Sequence, residues 1–287
     1  MPDGLGASKM DSRELSPALG AEIEGFTAER LDDAEACRSL QTLFDRRGVL
    51  VFRDVELTHA DQLRLAEVLI RKELGPGTPR EDRWYISNRR EKSAAPFGRL
   101  QFHADMMWAE QPCELVSLYA VEVEPPVAPT TFVSTTRAWS AMDDDLRARI
   151  ADRHAAHTAG DVRRGDMADV IVTKVVNPPG TVKPLELHHP RTGQSLLYAC
   201  EQMTKEIVDV PADESEPLLE ALFAVLYDPD ARLEHHWRSG DLVVWDNLAV
   251  QHGRPNVTQQ GPVRTLRKVA APMPVLTKDQ MPTYAKA

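Results

Sequence analysis

A histidine and an aspartate one residue apart, with another histidine far downstream, most constrain how this chain can fold. His103 and Asp105 flank Ala104, and His252 ends the segment WDNLAVQH. Two imidazoles and one carboxylate can hold a divalent metal such as iron(II) on one side and leave its other coordination positions open. A fold that uses this set must bring distant parts of the sequence to one point.

The local pattern around these residues supports such a site. Side chains of an extended segment alternate between two faces, so His103 and Asp105 are expected to point the same way. His252 follows an apolar strand candidate at 242–245, and Arg264 lies twelve residues further on, in the next strand candidate. A hairpin would bring this guanidinium near the metal, where it suits the distal carboxylate of a dicarboxylic co-substrate.

The rest of the chain reads as many short strands with a few helices. This pattern indicates a β-sandwich or barrel with helices packed on it. Strands are predicted at 19–25, 48–53, 84–88, 115–123, 195–199, 241–245 and 265–271, and helices at 32–46, after Thr58, within 134–150 and at 214–227.

Composition excludes several classes of partner. The 287 residues carry a formal net charge of -10 and no long basic run, which argues against nucleic acid. No apolar run approaches the ~20 residues of a membrane span. The N-terminus does not resemble a secretory signal, and three cysteines without metal-type spacing indicate reduced thiols, so a cytoplasmic location is expected.

One domain is expected. Residues 1–16 are predicted to be a flexible N-terminal end, and residues 17–280 a single domain. Residues 159–184 mix Gly, Pro, Asp and Arg around a short Val/Ile run. A loop this long is often functional, and we interpret it as a lid-like insertion over the barrel mouth.

Taken in order, the motifs resemble the taurine dioxygenase/TfdA family of Fe(II)- and 2-oxoglutarate-dependent dioxygenases. The resemblance runs from about Leu19 to Ala271. The matching segments are LGAEIEG at 19–25, GVLVFR at 48–53, the His-x-Asp pair, PRTG at 190–193 followed by LY at 197–198, GDLVVWDN at 240–247, and QH at 251–252.

This resemblance implies a fold and a ligand set. The fold is a double-stranded β-helix (jelly roll) flanked by helices, in the α+β or mainly β class. His103, Asp105 and His252 resemble the family's iron ligands. Arg264 resembles the arginine that pairs with the distal carboxylate of 2-oxoglutarate. Thr131 matches the threonine at the same carboxylate, with Thr130 as the alternative if the register shifts by one.

The implied activity is hydroxylation, or cleavage that begins as hydroxylation, of a small and anionic organic substrate. Fe(II), 2-oxoglutarate and O2 are the implied cofactors, and succinate and CO2 are released. Asp105 favours hydroxylation over halogenation, because related halogenases lack this carboxylate. Two alternatives stay open: a non-catalytic small-acid-binding protein on the same scaffold, and a jelly roll that uses another metal for hydrolysis. The sequence also leaves a homo-oligomer open.

Several positions depart from the taurine enzyme. Lys268 stands where that enzyme has its sulfonate-binding arginine, with Arg267 as the alternative if the register slips. Arg99 stands where it has an asparagine, and its taurine-holding His and Tyr have no match in 72–84. Taurine itself is therefore not the expected substrate.

Five residues are predicted to face the substrate. Lys268 and Arg99 would supply positive charge for an anion. Met106 and Met203 would supply adaptable apolar surface. Asn88, just before the basic loop, is the remaining candidate.

Overall fold

The computed structural model describes residues 10–80, 84–91, 93–160, 162, 164–171, 175–278 and 280–284. Within these ranges the strands are β1 (Asp11–Glu14), β2 (Ala21–Glu24), β3 (Val49–Phe52), β4 (Tyr85–Ser87), β5 (Gly98–His103), β6 (Leu115–Val123), β7 (Thr130–Ser134), β8 (His154–Thr158), β9 (Val175–Val176), β10 (Gly180–Pro184), β11 (Glu186–His188), β12 (Ser195–Leu197), β13 (Thr204–Ile207), β14 (Leu233–His235), β15 (Leu242–Asp246), β16 (Val250–Val257), β17 (Arg264–Ala271) and β18 (Thr283–Tyr284). The α-helices are α1 (Ala34–Arg47), α2 (His59–Ile70), α3 (Thr135–Ala141), α4 (Asp144–Ile150) and α5 (Ala212–Leu226), with 3₁₀ helices at Ala28–Asp32 and Pro229–Ala231.

Eight strands form two facing four-stranded sheets. The first has the order β15-β6-β17-β4, within a larger seven-stranded sheet, and the second has the order β14-β7-β16-β5. Most successive strands alternate between the sheets, and nearly all pairs are antiparallel. This winding is that of a double-stranded β-helix, as the sequence predicted.

Strand β3 shows how the sequence builds the layers. Its four residues are all apolar and buried, as expected when both faces of a strand are covered. Val49 and Val51 join the core between the two sheets. Leu50 and Phe52 point the other way, into the core beneath α1 and α2. The alternation of strand side chains thus divides one apolar run between two cores.

The helices on this face have the ends that their sequences predict. Helix α1 begins at an Asp33 cap and ends at Gly48, which takes a left-handed conformation with φ of 68°. Helix α2 begins with a capping box, in which Thr58 and Asp61 each accept a hydrogen bond from the other's backbone.

The segment between β7 and β14 carries the remaining helices. They pack on the outer face of the second sheet, around Val133 and Leu219. The helix predicted within 134–150 is two helices, because Asp143 caps a new helix through the amide of Leu146 immediately after α3 ends. The N-cap of α3 is Ser134.

The predicted N-terminal end and the predicted insertion both contain strands. Residues 11–14, predicted to belong to a flexible end, form β1 and pair with β2 because backbone hydrogen bonds hold them there, so that prediction is wrong for these four residues. Residues 1–9 lie outside the described residues. Within 159–184, β10 pairs with β8, and β9 pairs with β18.

Candidate active site

The predicted metal ligands come together at one end of the jelly roll. His103 is the last residue of β5, and His252 lies opposite it on β16. Their ring centroids are 4.2 Å apart. One ligand atom from each of His103, Asp105 and His252 lies within 4.8 Å of the others. Pairing between β5 and β16 thus joins the two distant halves of the set.

Asp105 reaches this cluster from a turn rather than from a strand. Strand β5 ends at His103, so simple alternation along an extended segment does not explain the position of Asp105. Asn247 holds it instead: its Oδ1 accepts from the Asp105 amide at 2.9 Å, and its Nδ2 donates to the Asp105 carbonyl at 2.8 Å. Asn247 also donates to the Cys113 carbonyl at 2.9 Å. Asn247 ends the motif GDLVVWDN, whose sequence alone does not reveal this role.

The protonation states of the cluster suit metal binding. Burial alone would raise the pKa of Asp105, but Lys268 and the two histidines outweigh it and hold that pKa well below 3.8. Burial, followed by the effect of His103, lowers the pKa of His252 well below 6.5. At neutral pH the carboxylate is charged and His252 is neutral, which are the forms that coordinate a metal.

Hydrogen bonds within the protein use only part of the donor and acceptor capacity of the two imidazoles. Nδ1 of His103 lies 2.8 Å from the Gln101 carbonyl, to which it can only donate, and Nε2 lies 3.5 Å from Asp105 Oδ1 within the cluster. The buried Nδ1 of His252 has no hydrogen-bond partner among the described residues. The donor set and this unused nitrogen fit a facial Fe(II) site.

A cavity of about 410 Å³ opens beside the cluster. Its apolar walls include Ile86, Leu100, Trp108, Leu118, Met203 and Trp245. Positively charged side chains outnumber negatively charged ones along the same walls. Among the lining residues that the structure describes, Asp105 is the one acid, whereas Arg254, Arg264 and Lys268 are cations.

Arg264 is buried at the start of β17 and faces this cavity. Its Nη2 donates to Thr130 Oγ1 at 3.3 Å, and its guanidinium lies 5.8 Å from the Trp237 ring centre. Nε has no partner within the described ranges. Burial, followed by the charge of Arg254, lowers the pKa of Arg264 to about 9, so the guanidinium remains protonated at neutral pH.

The threonine that faces Arg264 is Thr130, the alternative that the sequence offered if the register shifts by one residue from Thr131. Thr130 lines the cavity and also accepts from Trp237 Nε1 at 3.0 Å. Thr131 does not line the cavity, because successive side chains of β7 alternate between its two faces.

Lys268 lines the cavity, as predicted. Its Nζ is 2.5 Å from Asp105 Oδ2, an ion pair without hydrogen-bond geometry. The alternative residue, Arg267, lies on the opposite face of β17, where Nε donates to Gln62 Oε1 at 3.0 Å and Nη2 to the Leu57 carbonyl at 2.7 Å. Lys268 lies four positions after Arg264, and this even spacing keeps both side chains on one face of the strand.

Arg99 does not line the cavity, so the structure does not bring it to the predicted substrate site. Its side chain donates to the carbonyls of Asp166 and Ala168, in the predicted insertion. Its backbone also bonds to that segment, donating to the Asp169 carbonyl at 2.7 Å. These contacts hold the insertion against the start of β5 and use the donors that an anion would need.

Asn88 also does not line the cavity, so the structure does not bring it to the predicted substrate site. Its Nδ2 donates to the carbonyls of Thr258 and Pro262, and its Oδ1 accepts from the Arg264 amide at 3.0 Å. Asn88 therefore shapes the turn before β17. It bears on the site only through the backbone of Arg264.

Of the two predicted methionines, Met203 lines the cavity and Met106 packs in the neighbouring core. Met203 lines the cavity, as expected. Met106 does not, because its backbone turns with φ of 57° and its side chain packs against the cluster that contains Met107 and Trp108. Trp108 occupies the wall instead.

A bulge in the pairing of β5 with β16 also shapes the wall. His252 pairs with His103 but Arg254 pairs with Leu100, so β5 has one residue more than β16 in this stretch. The bulge brings both Leu100 and His103 to the cavity. Arg254, missed by the sequence analysis, follows His252 by two residues, and strand alternation could have found it.

Comparison with known proteins agrees with this geometry. A family model described as "Taurine catabolism dioxygenase TauD, TfdA family" matches residues 11–270. The chain is 27% identical over 267 residues to pentalenolactone F synthase of Streptomyces avermitilis, covering 83% of this chain and 86% of that protein. It is 28% identical over 263 residues to (S)-phenoxypropionate/alpha-ketoglutarate-dioxygenase of Sphingobium herbicidovorans, covering 84% and 88%.

A solved structure confirms the fold. AAD-2 in complex with Mn(II) and N-oxalylglycine superposes with a TM-score of 0.73 at 22% identity, covering 92% of this chain and 97% of that chain. None of the helices that the structure describes has the length and apolar character needed to cross a membrane.

Proposed function

The chain belongs to the TauD/TfdA family of Fe(II)- and 2-oxoglutarate-dependent dioxygenases, and on that premise we propose that it hydroxylates a small, anionic organic substrate with an apolar body. Succinate and CO2 are the proposed by-products. The observation that carries this proposal is the charge of the cavity, where three cations and one carboxylate surround a predominantly apolar space.

His103, Asp105 and His252 are the proposed iron ligands. Their clustered donor atoms, the ionised Asp105 and the unused Nδ1 of His252 support this assignment. When bound, the iron supplies the oxidation of the substrate by O2, coupled to decarboxylation of 2-oxoglutarate. The retained carboxylate of Asp105 favours hydroxylation over halogenation.

Arg264 and Thr130 are proposed to hold the distal carboxylate of 2-oxoglutarate. Arg264 offers a planar fork with an unused Nε, and Thr130 offers a hydroxyl beside it. A guanidinium in a buried cavity forms strong paired hydrogen bonds to a carboxylate. The co-substrate would thereby be oriented before the primary substrate enters.

The charge balance favours an anionic substrate. Three cationic side chains against Asp105 leave a formal excess of two positive charges. Fe(II) and the dianion of 2-oxoglutarate cancel each other, so that excess remains for the substrate. Lys268 is its proposed partner, because it faces the cavity beside the metal cluster and its ion pair with Asp105 can be exchanged when a metal takes the carboxylate.

The walls and volume restrict the rest of the molecule. About 410 Å³ is near the lower end of the range for small-molecule pockets, and it must hold co-substrate and substrate together. Aromatic and aliphatic side chains suit an apolar body. The relative from Sphingobium herbicidovorans is named for phenoxypropionate, an acid with an aromatic body. Ala159 and Ile171 of the insertion also line the cavity, and we propose that the insertion serves as a lid.

A substrate screen read out as succinate tests the proposal. Purified protein with Fe(II), ascorbate and 2-oxoglutarate is offered small carboxylates, sulfonates, sulfate esters and amino-acid derivatives, with neutral and cationic analogues beside them. We expect slow succinate release without substrate and faster release with carboxylates. Absence of succinate under every condition would favour the non-catalytic binding protein, and preference for neutral analogues would contradict the anionic substrate.

Lys268→Ala should then slow turnover of the best acid while slow substrate-free succinate release persists. Lys183→Ala is the matched control, since Lys183 pairs with Glu110 and does not line the cavity. Equal effects of the two substitutions would remove Lys268 from the substrate site.

A further inference from the structure

A second guanidinium enters the cavity beside the residues discussed so far. Arg254 on β16 is 5% exposed and lines the cavity two residues beyond His252. Its Nη2 donates to the carbonyls of Ala95 at 2.7 Å and Gly98 at 3.3 Å. Nε and Nη1 are buried and have no hydrogen-bond partner in the described part of the chain. One edge of the guanidinium is anchored, and the rest is unused.

The strand register brings Arg254 towards the proposed co-substrate position. Gly253 lies opposite Thr131 on β7, so the next residues of the two strands, Arg254 and Thr130, are neighbours that both line the cavity. Arg264 approaches Thr130 from the facing sheet and donates to its hydroxyl. The two guanidiniums therefore converge on one end of the cavity from different sheets. The positive charge of Arg254 helps to lower the pKa of Arg264.

Two buried like charges with unused donors form a site that an anion between or beside them would stabilise. A buried cation is costly unless it is paired and hydrogen-bonded. Asp105 is the one acid among the described lining residues, and it is engaged by Lys268 and by the metal cluster. The anion that satisfies both arginines must therefore come from a ligand. A carboxylate has enough lone pairs to accept from two guanidiniums at once.

We propose that Arg254 is a second co-substrate-binding arginine, which holds the distal carboxylate of 2-oxoglutarate together with Arg264. This inference rests on the proposed function, in which Arg264 and Thr130 bind that carboxylate. Double coordination makes the site selective for a 2-oxo acid with two carboxylates over one with a single carboxylate. The anchoring of Nη2 by Ala95 and Gly98 fixes the guanidinium before the ligand arrives.

Calorimetric binding to Mn(II)-loaded protein without O2 tests the proposal and needs no primary substrate. The two ligands are 2-oxoglutarate and 2-oxopentanoate, which has the same chain length but no distal carboxylate. Arg254→Gln should lower the affinity for 2-oxoglutarate about 10- to 100-fold, the loss expected for a hydrogen bond to a charged group. Its affinity for 2-oxopentanoate should stay unchanged. Arg254→Lys keeps the charge without the fork and should fall between wild type and Arg254→Gln.

Three further outcomes would overturn the inference. If Arg254→Gln leaves 2-oxoglutarate binding intact while Arg264→Gln weakens it, Arg254 has no part in the co-substrate site and the proposed function stands. If Arg254→Gln weakens both ligands equally, Arg254 acts through the fold. If Arg254→Gln does not fold, an unchanged affinity ratio in Arg254→Lys refutes the role. Absence of 2-oxoglutarate binding by wild type would instead refute the proposed function.

Arg99→Gln is the matched control. Arg99 lies just before the same bulged part of β5, but its guanidinium is bound to carbonyls of the insertion, outside the cavity. This substitution should leave the affinities for both ligands unchanged. A loss of 2-oxoglutarate affinity equal to that of Arg254→Gln would show that any arginine near β5 produces the effect, and would overturn the assignment.

Discussion

Replacing Arg264 with methionine should stabilise the ligand-free protein and abolish its stabilisation by 2-oxoglutarate. Methionine is long, flexible and apolar, so it can occupy much of the space of the arginine stem. Thr130 is not left unpaired by the change, because Trp237 Nε1 still donates to its hydroxyl at 3.0 Å. The substitution therefore removes mainly a buried charge and its unused Nε.

The magnitude follows from the cost of burying that charge. The pKa of Arg264 is lowered from 12.5 to about 9, mainly by burial. A shift of that size corresponds to about 5 kcal/mol at 1.36 kcal/mol per pKa unit, an upper value because the empty cavity can admit water. Replacing buried ionic groups with apolar ones is typically neutral or stabilising by about 1–4 kcal/mol. We expect the free energy of unfolding to rise within that range.

2-Oxoglutarate should stabilise wild type but hardly Arg264→Met. At about 100 times its Kd, 2-oxoglutarate stabilises wild type by about 2.7 kcal/mol. Loss of a buried charged partner weakens binding by about 2–5 kcal/mol, so the same concentration barely stabilises Arg264→Met. Urea unfolding of Mn(II)-loaded protein, with and without 2-oxoglutarate, measures both effects.

Arg267→Met is the matched control for this experiment. Arg267 lies on the same strand and is also buried, but it donates to Gln62 and to the Leu57 carbonyl, away from the cavity. Its replacement should destabilise the protein by about 1–3 kcal/mol, because it leaves buried acceptors unpaired, with or without ligand. If Arg264→Met destabilises the ligand-free protein as much as this control does, or keeps full stabilisation by 2-oxoglutarate, the reasoning is refuted.

Three other predictions address the metal, the substrate and the pH dependence of stability. His103→Ala, Asp105→Ala and His252→Ala should each abolish the visible charge-transfer band formed on anaerobic addition of Fe(II) and 2-oxoglutarate, and an unchanged band would remove that residue from the ligand set. Taurine should be turned over poorly, because Lys268 presents a point charge where a sulfonate is held best by an arginine fork; efficient release of sulfite would contradict this. Burial lowers the pKa of His157 from 6.5 to about 4, so the unfolded chain takes up a proton first and stability falls as pH drops from 6.5 towards 4. Urea unfolding at pH 7 and 4.5 should show a loss of about 2–3 kcal/mol from this group in wild type that His157→Gln lacks, and equal pH dependence of the two proteins would contradict it.

The strand and cap signals of the sequence predicted much of the fold, because they depend on neighbouring residues. The apolar run of β3, the capping box at Thr58 and the Gly48 helix end are each set by local conformation. A helix was expected within 134–150, but its division into two was not, since Asp143 begins a second helix in the middle of a helical pattern.

The candidate site was predictable only where its residue types are rare in combination. His103, Asp105 and His252 stand out in the sequence, and the structure brings them together. Arg99 and Asn88 were chosen from sequence position. In the structure their donors bind carbonyls of the insertion and of the turn before β17. Nothing in a linear pattern shows which backbone acceptors a side chain will meet.

By itself the sequence determined the metal-binding residue types, the strand-rich pattern and the arginine expected at the start of the last long strand. Tertiary structure decided which side chains share the cavity. The register of β7 selected Thr130 over Thr131, and the bulge between β5 and β16 brought Leu100 to the wall. Packing of the two sheets against each other also placed Arg254 and Arg264 on the same cavity. A shift of one residue turns a side chain to the opposite face, and register is fixed by packing between strands that are distant in sequence.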